Sequence, residues 1–338
     1  MKSILIIGFL FAMFSSCSGE NSSQDSLEIG NKRVRVENNT VVTWDGKLIR
    51  SASMSIGRDP SRQAITSEMA TWQAVKDRNL NCVRLAVHKQ RSDKNGAWPE
   101  YIKLNNGKPP YPAFPETDEI FFDLDERIKL AEQIGLYVLL DFHFIGQYDI
   151  DELKLFWNIA SERYKNKEHV LFEICNEPVA WRPEHYLPED LRAQEELYRI
   201  IRSKAPDTHI VLLSFAHPDS KTVNDATMKQ VTDQLQGIDW KNASVGFHPY
   251  NKTGSSAAIV ELKAHYPCIA TEIQIDSQTN DAVDPLDGER YPVQTFERLR
   301  ISWACWTIGD MPPQKGWNVE WDPMIVELQK LGIYPWKD

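Results

Sequence analysis

Apolar residues along this chain gather into eight short runs, with helically spaced stretches between them. The runs are Leu48–Ile56, Cys82–Val87, Leu136–His143, Val170–Cys175, His209–Phe215, Ser244–Tyr250, Cys268–Gln274 and Ile301–Ile308. Near-continuous apolar strands separated by helices imply parallel strands covered on both faces. Between them, Leu124, Ile128, Ala131 and Ile134 recur at helical spacing, with Gly135 placed to end the helix. Met69, Trp72 and Val75 mark a second amphipathic face, and Leu191, Leu197, Tyr198 and Ile201 a third, behind a proline suited to a first helical turn. Eight strand–helix units in a chain of this length match the size of a (β/α)8 TIM barrel. An open doubly wound sheet is the alternative, but it calls for a Gly-rich first loop that the sequence lacks.

The first residues read differently. Met1-Lys2 gives a positive start, and Ile4–Phe14 is an apolar run too short for the about 20 residues that a spanning helix needs. Residues 1–17 therefore read as an export signal. Ser15 and Ser16 before Cys17 resemble a relaxed bacterial lipoprotein processing box, so Cys17 is the expected lipidation site and an outer or cell-surface membrane the expected address. An ordinary signal peptide, giving a periplasmic or secreted protein, is the alternative. Residues 18–26 are polar and aperiodic, as a flexible tether would be; the tether is assigned to 18–33, and 34–338 are assigned to the barrel as a single catalytic domain. The chain stops soon after its eighth helical stretch, which leaves no appended module expected.

Composition narrows the partners. With 38 basic and 48 acidic residues, the net charge of −10 argues against a nucleic-acid backbone or an anionic membrane surface, and favours a neutral ligand. Membrane attachment is expected only through the lipid. Cys82, Cys175, Cys268 and Cys305 sit in or beside apolar runs, as free buried cysteines do. No CxxC or HExxH spacing occurs, so no metal site and no cofactor is expected.

In a barrel the C-terminal ends of the strands share one open face, so polar residues that end the apolar runs become neighbours. They are Arg84 in strand 2, His143 in strand 3, Asn176 and Glu177 in strand 4, His248 and Tyr250 in strand 6, Glu272 in strand 7 and Trp306 in strand 8. Two carboxylates amid His, Tyr, Arg, Asn and Trp suit glycoside hydrolysis, where one carboxyl donates a proton and the other stays ionised. Trp306 offers a flat face for a sugar ring.

These eight residues, with "FEICNEP", "FHPY", "ATEIQ" and "WACWT", resemble glycoside hydrolase family 5, the cellulase and mannanase family, from about Val34 to the end. The resemblance implies a retaining mechanism, with Glu177 as acid/base and Glu272 as nucleophile. It also implies that Asn176 binds the sugar 2-hydroxyl, that Arg84 and Tyr250 hold Glu272, and that His143, His248 and Trp306 line the cleavage subsite. The expected function is a retaining endo-β-glycosidase on a neutral polysaccharide, β-1,4-glucan first. A β-mannanase or exo-acting enzyme of the same family is the alternative, and a non-catalytic glycan-binding lipoprotein the remote one. The first strand lacks the family's common Arg-Gly-Val start, and "FHFIG" replaces its frequent Trp-His-Asp arrangement.

Plainer readings stand beside these. Asn-Glu-Pro alone fits a helix start, lone histidines more often complete a core, and Arg84 alone reads as a partner for Glu173. Alternation puts Glu173, Cys175 and Glu177 on one face, which turns Glu173 into the lumen as a structural acid. His217 suits capping as well as substrate contact. The loop from His88 to Ile120, with five prolines and several aromatics, reads as ordered and functional. Trp98, Trp181 and Trp317 read equally as sugar platforms or as loop packing.

Overall fold

In the computed structural model the described residues are 32–56, 66–88, 119–144, 150–179, 186–216, 226–249, 255–273, 292–306 and 322–338. The signal segment, Cys17, Trp98, Trp181, His217, Tyr250, Trp317 and most of the His88–Ile120 loop lie outside them. The described chain opens with a hairpin that the hydrophobic pattern did not announce, β1 (Arg35–Glu37) against β2 (Thr40–Val42). Its turn residues, Asn38 and Asn39, take φ of +49° and +58°, a left-handed pair that asparagine tolerates and that two-residue hairpins need.

The eight apolar runs then become β3 (Arg50–Ile56), β4 (Cys82–Val87), β5 (Tyr137–Phe142), β6 (Val170–Glu173), β7 (Ile210–Phe215), β8 (Ala243–Phe247), β9 (Cys268–Ile273) and β10 (Ser302–Cys305). Each pairs in parallel with the next, and β10 pairs back with β3 at Trp303–Arg50 and Ala304–Ser51. The ring is closed, and the chain has the (β/α)8 architecture.

Helices α1 (Met69–Asp77), α2 (Glu119–Ile134), α3 (Ile150–Tyr164), α4 (Pro188–Lys204), α5 (Met228–Thr232), α6 (Ser255–His265), α7 (Pro292–Leu299) and α8 (Asp322–Lys330) alternate with the strands. One large core lies between strands and helices, fed by Val83, Leu85, Phe142, Phe156, Trp157, Phe172 and Trp303. Pro188 occupies the first turn of α4, and Gly135 leaves α2 with φ +70°. Met69 is a correction: it is 37% exposed, and Thr71 joins Trp72 and Val75 on the buried face of α1.

Alternation sends the other residues inward. Val34, Val41, Ile49, Cys82, Tyr137, Leu139, Leu171, Val211 and Ile269 fill the N-terminal end of the lumen as a second hydrophobic cluster. Lys32 and Arg33, at the end of the stretch read as a tether, are bound to the barrel. The Lys32 amide donates to Glu168 at 3.2 Å, and Arg33 Nη2 donates to the Lys165 carbonyl at 2.6 Å.

Candidate active site

Strand pairing continues a residue or two past the strand ends and fixes the rim. The amides of His143, Asn176, Glu177, His248 and Trp306 donate to the carbonyls of Val87, Phe142, Phe144, Phe215 and Ile273 on the neighbouring strands, at 2.7 to 3.2 Å. Side chains there stand on backbone as fixed as the barrel itself.

Arg84 is the hub. Its Nε and Nη2 donate to the two oxygens of Glu173 at 2.7 and 3.1 Å, and Nη1 donates to Glu272 Oε2 at 2.7 Å. Nη2 also donates to Asn176 Oδ1 at 2.6 Å and lies 2.9 Å from Asp141 Oδ2. Arginine only donates, so this contact fixes the Asn176 amide with its oxygen towards Arg84. Asn176 Nδ2 is buried and has no partner among the described residues. Arg84 is wholly buried: burial opposes its charge, yet the carboxylates of Asp141, Glu173 and Glu272 hold it well above the ordinary arginine value.

The carboxyls differ among themselves. Burial works against the charge of Glu173, but Arg84 and His248 outweigh it and bring its pKa down to about 2. Burial lifts Asp141 well above the ordinary carboxylate range; Arg84 opposes the shift, and Glu173 and Glu272 add to it. His248, also fully buried, is disfavoured as a cation by burial. The carboxyl of Glu173, 3.7 Å from Nε2, and the bond to Glu177 reverse that and raise it to about 9, which favours the imidazolium at neutral pH. Its Nδ1 is 2.7 Å from Glu177 Oε1 and its Nε2 2.9 Å from Thr271 Oγ1.

A β-bulge presents Glu272. Ala270 pairs with Trp303 and Ile273 with Cys305, so Thr271 and Glu272 together oppose the single Ala304. The extra residue turns both side chains inward, one to His248 and the other to Arg84. One ligand atom each from Glu177, His248 and Glu272 lie within 4.8 Å of one another. That spacing would also suit a cation, which would have to displace a proton from His248 to bind it.

A second group borders this centre. His143 Nδ1 contacts Asp141 Oδ2 at 2.6 Å, and Trp306 stacks on His143 with centroids 4.9 Å apart and planes 8° from parallel. His88 closes on His143 at 4.3 Å and bonds Ser55 Oγ at 3.1 Å. Seven of the eight expected residues thus converge, with Tyr250 outside the described residues. Glu173 faces the lumen as expected, but the alternation ends there. Cys175 packs into the outer core, and Asn176 turns in beside Glu173. Asp141, Ser214, Thr271 and His88 were not singled out from sequence. Asp141 and His88 carry a legible signal, polar residues on the inward parity of β4 and β5, whereas Thr271 and Ser214 depend on bulges.

The model of the cellulase family (glycosyl hydrolase family 5) matches residues 45–311, well over half of the chain. The chain belongs to glycosyl hydrolase family 5. This family 5 chain is 25% identical to endoglucanase E-5 of Thermobifida fusca over 198 residues, which is 55% of this chain and 40% of that protein. It is 26% identical to endoglucanase A of Evansella cellulosilytica over 208 residues, 58% of this chain and again 40% of the relative. The matches thus span about 40% of the length of these curated relatives. Among solved structures, the catalytic domain of Thermobifida fusca endoglucanase Cel5A (E5) superposes with a TM-score of 0.65 at 19% identity, covering 88% of this chain and 97% of that one. A complex of that catalytic domain with cellotetraose gives 0.63 at 18% identity, with the same coverage.

Proposed function

We propose that this protein is a retaining endo-β-glucanase that cleaves a neutral β-linked glucan by double displacement. The observation that carries the reading is the pairing of two rim carboxylates, Glu177 and Glu272, whose near oxygens stand within 4.8 Å. That close approach agrees with retaining glycosidases, whose carboxyl groups lie about 5–5.5 Å apart, better than with inverting ones, which leave about 6.5–9.5 Å for a water. The endoglucanase names of the relatives, and the cellotetraose bound by the Thermobifida domain, support a β-glucan as the substrate.

Charge balance distributes the roles. Arg84 and His248 are cations among four carboxyls, Asp141, Glu173, Glu177 and Glu272. A buried site tolerates little net charge, so the carboxyls there are not all ionised together. Burial favours a proton on Asp141, whereas Arg84 and His248 hold Glu173 in its ionised form. In this reading Glu272, facing the permanent charge of Arg84, is the ionised nucleophile that attacks the anomeric carbon. Glu177 holds a proton and passes it to the departing sugar oxygen, breaking the glycosidic bond. The imidazolium of His248 beside it steadies the carboxylate left behind. Glu177 then takes a proton from water, whose oxygen displaces Glu272 from the anomeric carbon. Asn176 Nδ2 is oriented to donate to the sugar 2-hydroxyl, and Trp306 and His143 form the floor beneath the ring.

The test is hydrolysis of barley β-glucan, soluble cellulose, glucomannan, galactomannan, xylan and laminarin, with products separated by size. A ladder of oligosaccharides from a β-glucan is expected. Glu272→Gln should lower kcat by about four orders of magnitude without unfolding the barrel. Ladders from a mannan alone would move the substrate, and single sugars or disaccharides from chain ends would make the enzyme exo-acting. A folded wild-type chain inert on every polymer would overturn the reading.

A further inference from the structure

β7 contains a backbone irregularity that packing alone does not call for. Leu213 and Ser214 take φ of +72° and +39°, the left-handed region that L-residues enter at a cost and leucine rarely. They are consecutive and inside a strand. Leu212 pairs with Val245 and Phe215 with Phe247, so the two residues oppose the single Gly246 of β8. The Leu213 amide, turned out of the ladder, donates to Gln194 Oε1 of α4 at 3.2 Å.

The bulge decides which side chain enters the lumen. Val211 faces in, so unbroken alternation would turn Leu213 inward and Ser214 outward. With the extra residue, Leu213 packs in the outer core and Ser214 points to the centre of the barrel. There its Oγ donates to Glu173 Oε1 at 2.8 Å. Glycine at 246 is what makes room. A Cβ added there would stand 2.7 Å from Ser214 Oγ, 2.9 Å from Val211 Cγ1 and 3.2 Å from Ser214 Cα. Strained non-glycine backbone clusters at functional sites, and here it delivers one hydroxyl to the acid that grips Arg84 by two hydrogen bonds.

We propose that Ser214 is a positioning residue for catalysis: its hydroxyl, set inward by the β7 bulge, saturates Glu173 so that Arg84 is aimed at and shared with Glu272. This rests on Glu272 being the nucleophile. The groups that face Glu173 are Arg84 from β4, Asp141 from β5, Ser214 from β7, His248 from β8 and, across Arg84, Glu272 from β9. Without the hydroxyl, Glu173 draws more of the positive charge of Arg84 and less of it reaches Glu272. The acidic limb of the kcat/KM profile then moves to higher pH.

Ser214→Gly separates the hydroxyl from the strain, because glycine adopts φ +39° freely. Expected are a melting temperature close to that of the wild type, because relief of the backbone strain offsets loss of the buried bond, KM little changed, and kcat lower on the order of tenfold, as loss of one bond to a charged group implies. The acidic limb should rise in pH. Gly246→Ala keeps the hydroxyl but displaces it, and should show the same kcat loss and limb shift. A folded Ser214→Gly protein with wild-type kcat and an unmoved acidic limb overturns the proposal. A wild-type chain inert on every glucan overturns the functional reading beneath it, and the positioning role falls with it. The wild-type control tells the two failures apart.

Discussion

The two ends of the barrel lumen are built from the same strands on opposite principles. At the N-terminal end, Val41 of the β1–β2 hairpin meets Ile49, Leu139, Leu171, Val211 and Ile269 in an apolar plug. Two residues further along β5 and β6, and three along the bulged β7 and β9, Asp141, Glu173, Ser214 and Glu272 join Arg84 and His248 in a buried polar network about a single guanidinium. The plug is stabilised by area removed from water, which tolerates small errors of position. The network is stabilised only while every partner is present, since each group left alone is a buried charge without compensation. One end supplies stability that the other spends on geometry.

Removing the hub should produce the largest effect. Arg84→Met leaves Glu173 and Glu272 facing each other with no guanidinium between them. We expect hydrolysis to disappear and urea unfolding to show a loss of about 3–5 kcal/mol, the usual result of breaking a buried pair from one side. Because the penalty is carboxylate charge, the deficit relative to the wild type should shrink as pH falls and the acids protonate. A deficit independent of pH would mean that lost packing, not charge, is responsible.

The opposite end should lose stability alone. Ile49→Ala opens a cavity in the plug and should cost about 2–5 kcal/mol, read as a lower urea midpoint. Ile49 is wholly buried below the rim, so the folded variant should keep the wild-type kcat and pH profile. A changed profile would show that the two ends are mechanically coupled.

The difference between the ends also explains what could be read from sequence. Apolar burial on both faces writes itself as continuous runs, so β4 was legible to the residue and the other barrel strands to within one to three residues at each end. Glu177, His248 and Trp306 were legible because a polar residue ending such a run must sit on the rim. Ser214 and Thr271 were not. Whether a residue faces inward after a bulge depends on the register of the neighbouring strand, and nothing local to "VLLSF" or "ATEIQ" announces an extra residue. The outward turn of Cys175 was hidden for a different reason: β6 ends at Glu173, and the period of two ends with it. The Asn38-Asn39 hairpin carried a turn signal, but its three-residue strands were too short to stand out as apolar runs.

The smallest expected effect concerns two buried histidines, one at each end, with opposite pH signs. His209, at the entrance to β7, bonds Ser244 Oγ at 2.8 Å; burial, with Arg202 adding to it, lowers its pKa from 6.5 to about 3. Between those values the unfolded chain binds a proton that the folded one refuses, so stability falls as pH drops through that window. His248, raised to about 9, does the reverse. Its contribution is complete below 6.5 and is lost as pH rises through about 9. His209→Gln, which can keep a bond to Ser244, should change stability by only about 1 kcal/mol at neutral pH. It should flatten the acid side of the melting-temperature profile. The flattening is best read between about 4.5 and 6.5, because below that range protonation of Glu173, lowered to about 2 from 4.5, also removes stability. The alkaline side, governed by His248, should not move. A variant that retains the full acid slope would place that slope in the carboxylates and leave the N-terminal end of the barrel electrostatically silent.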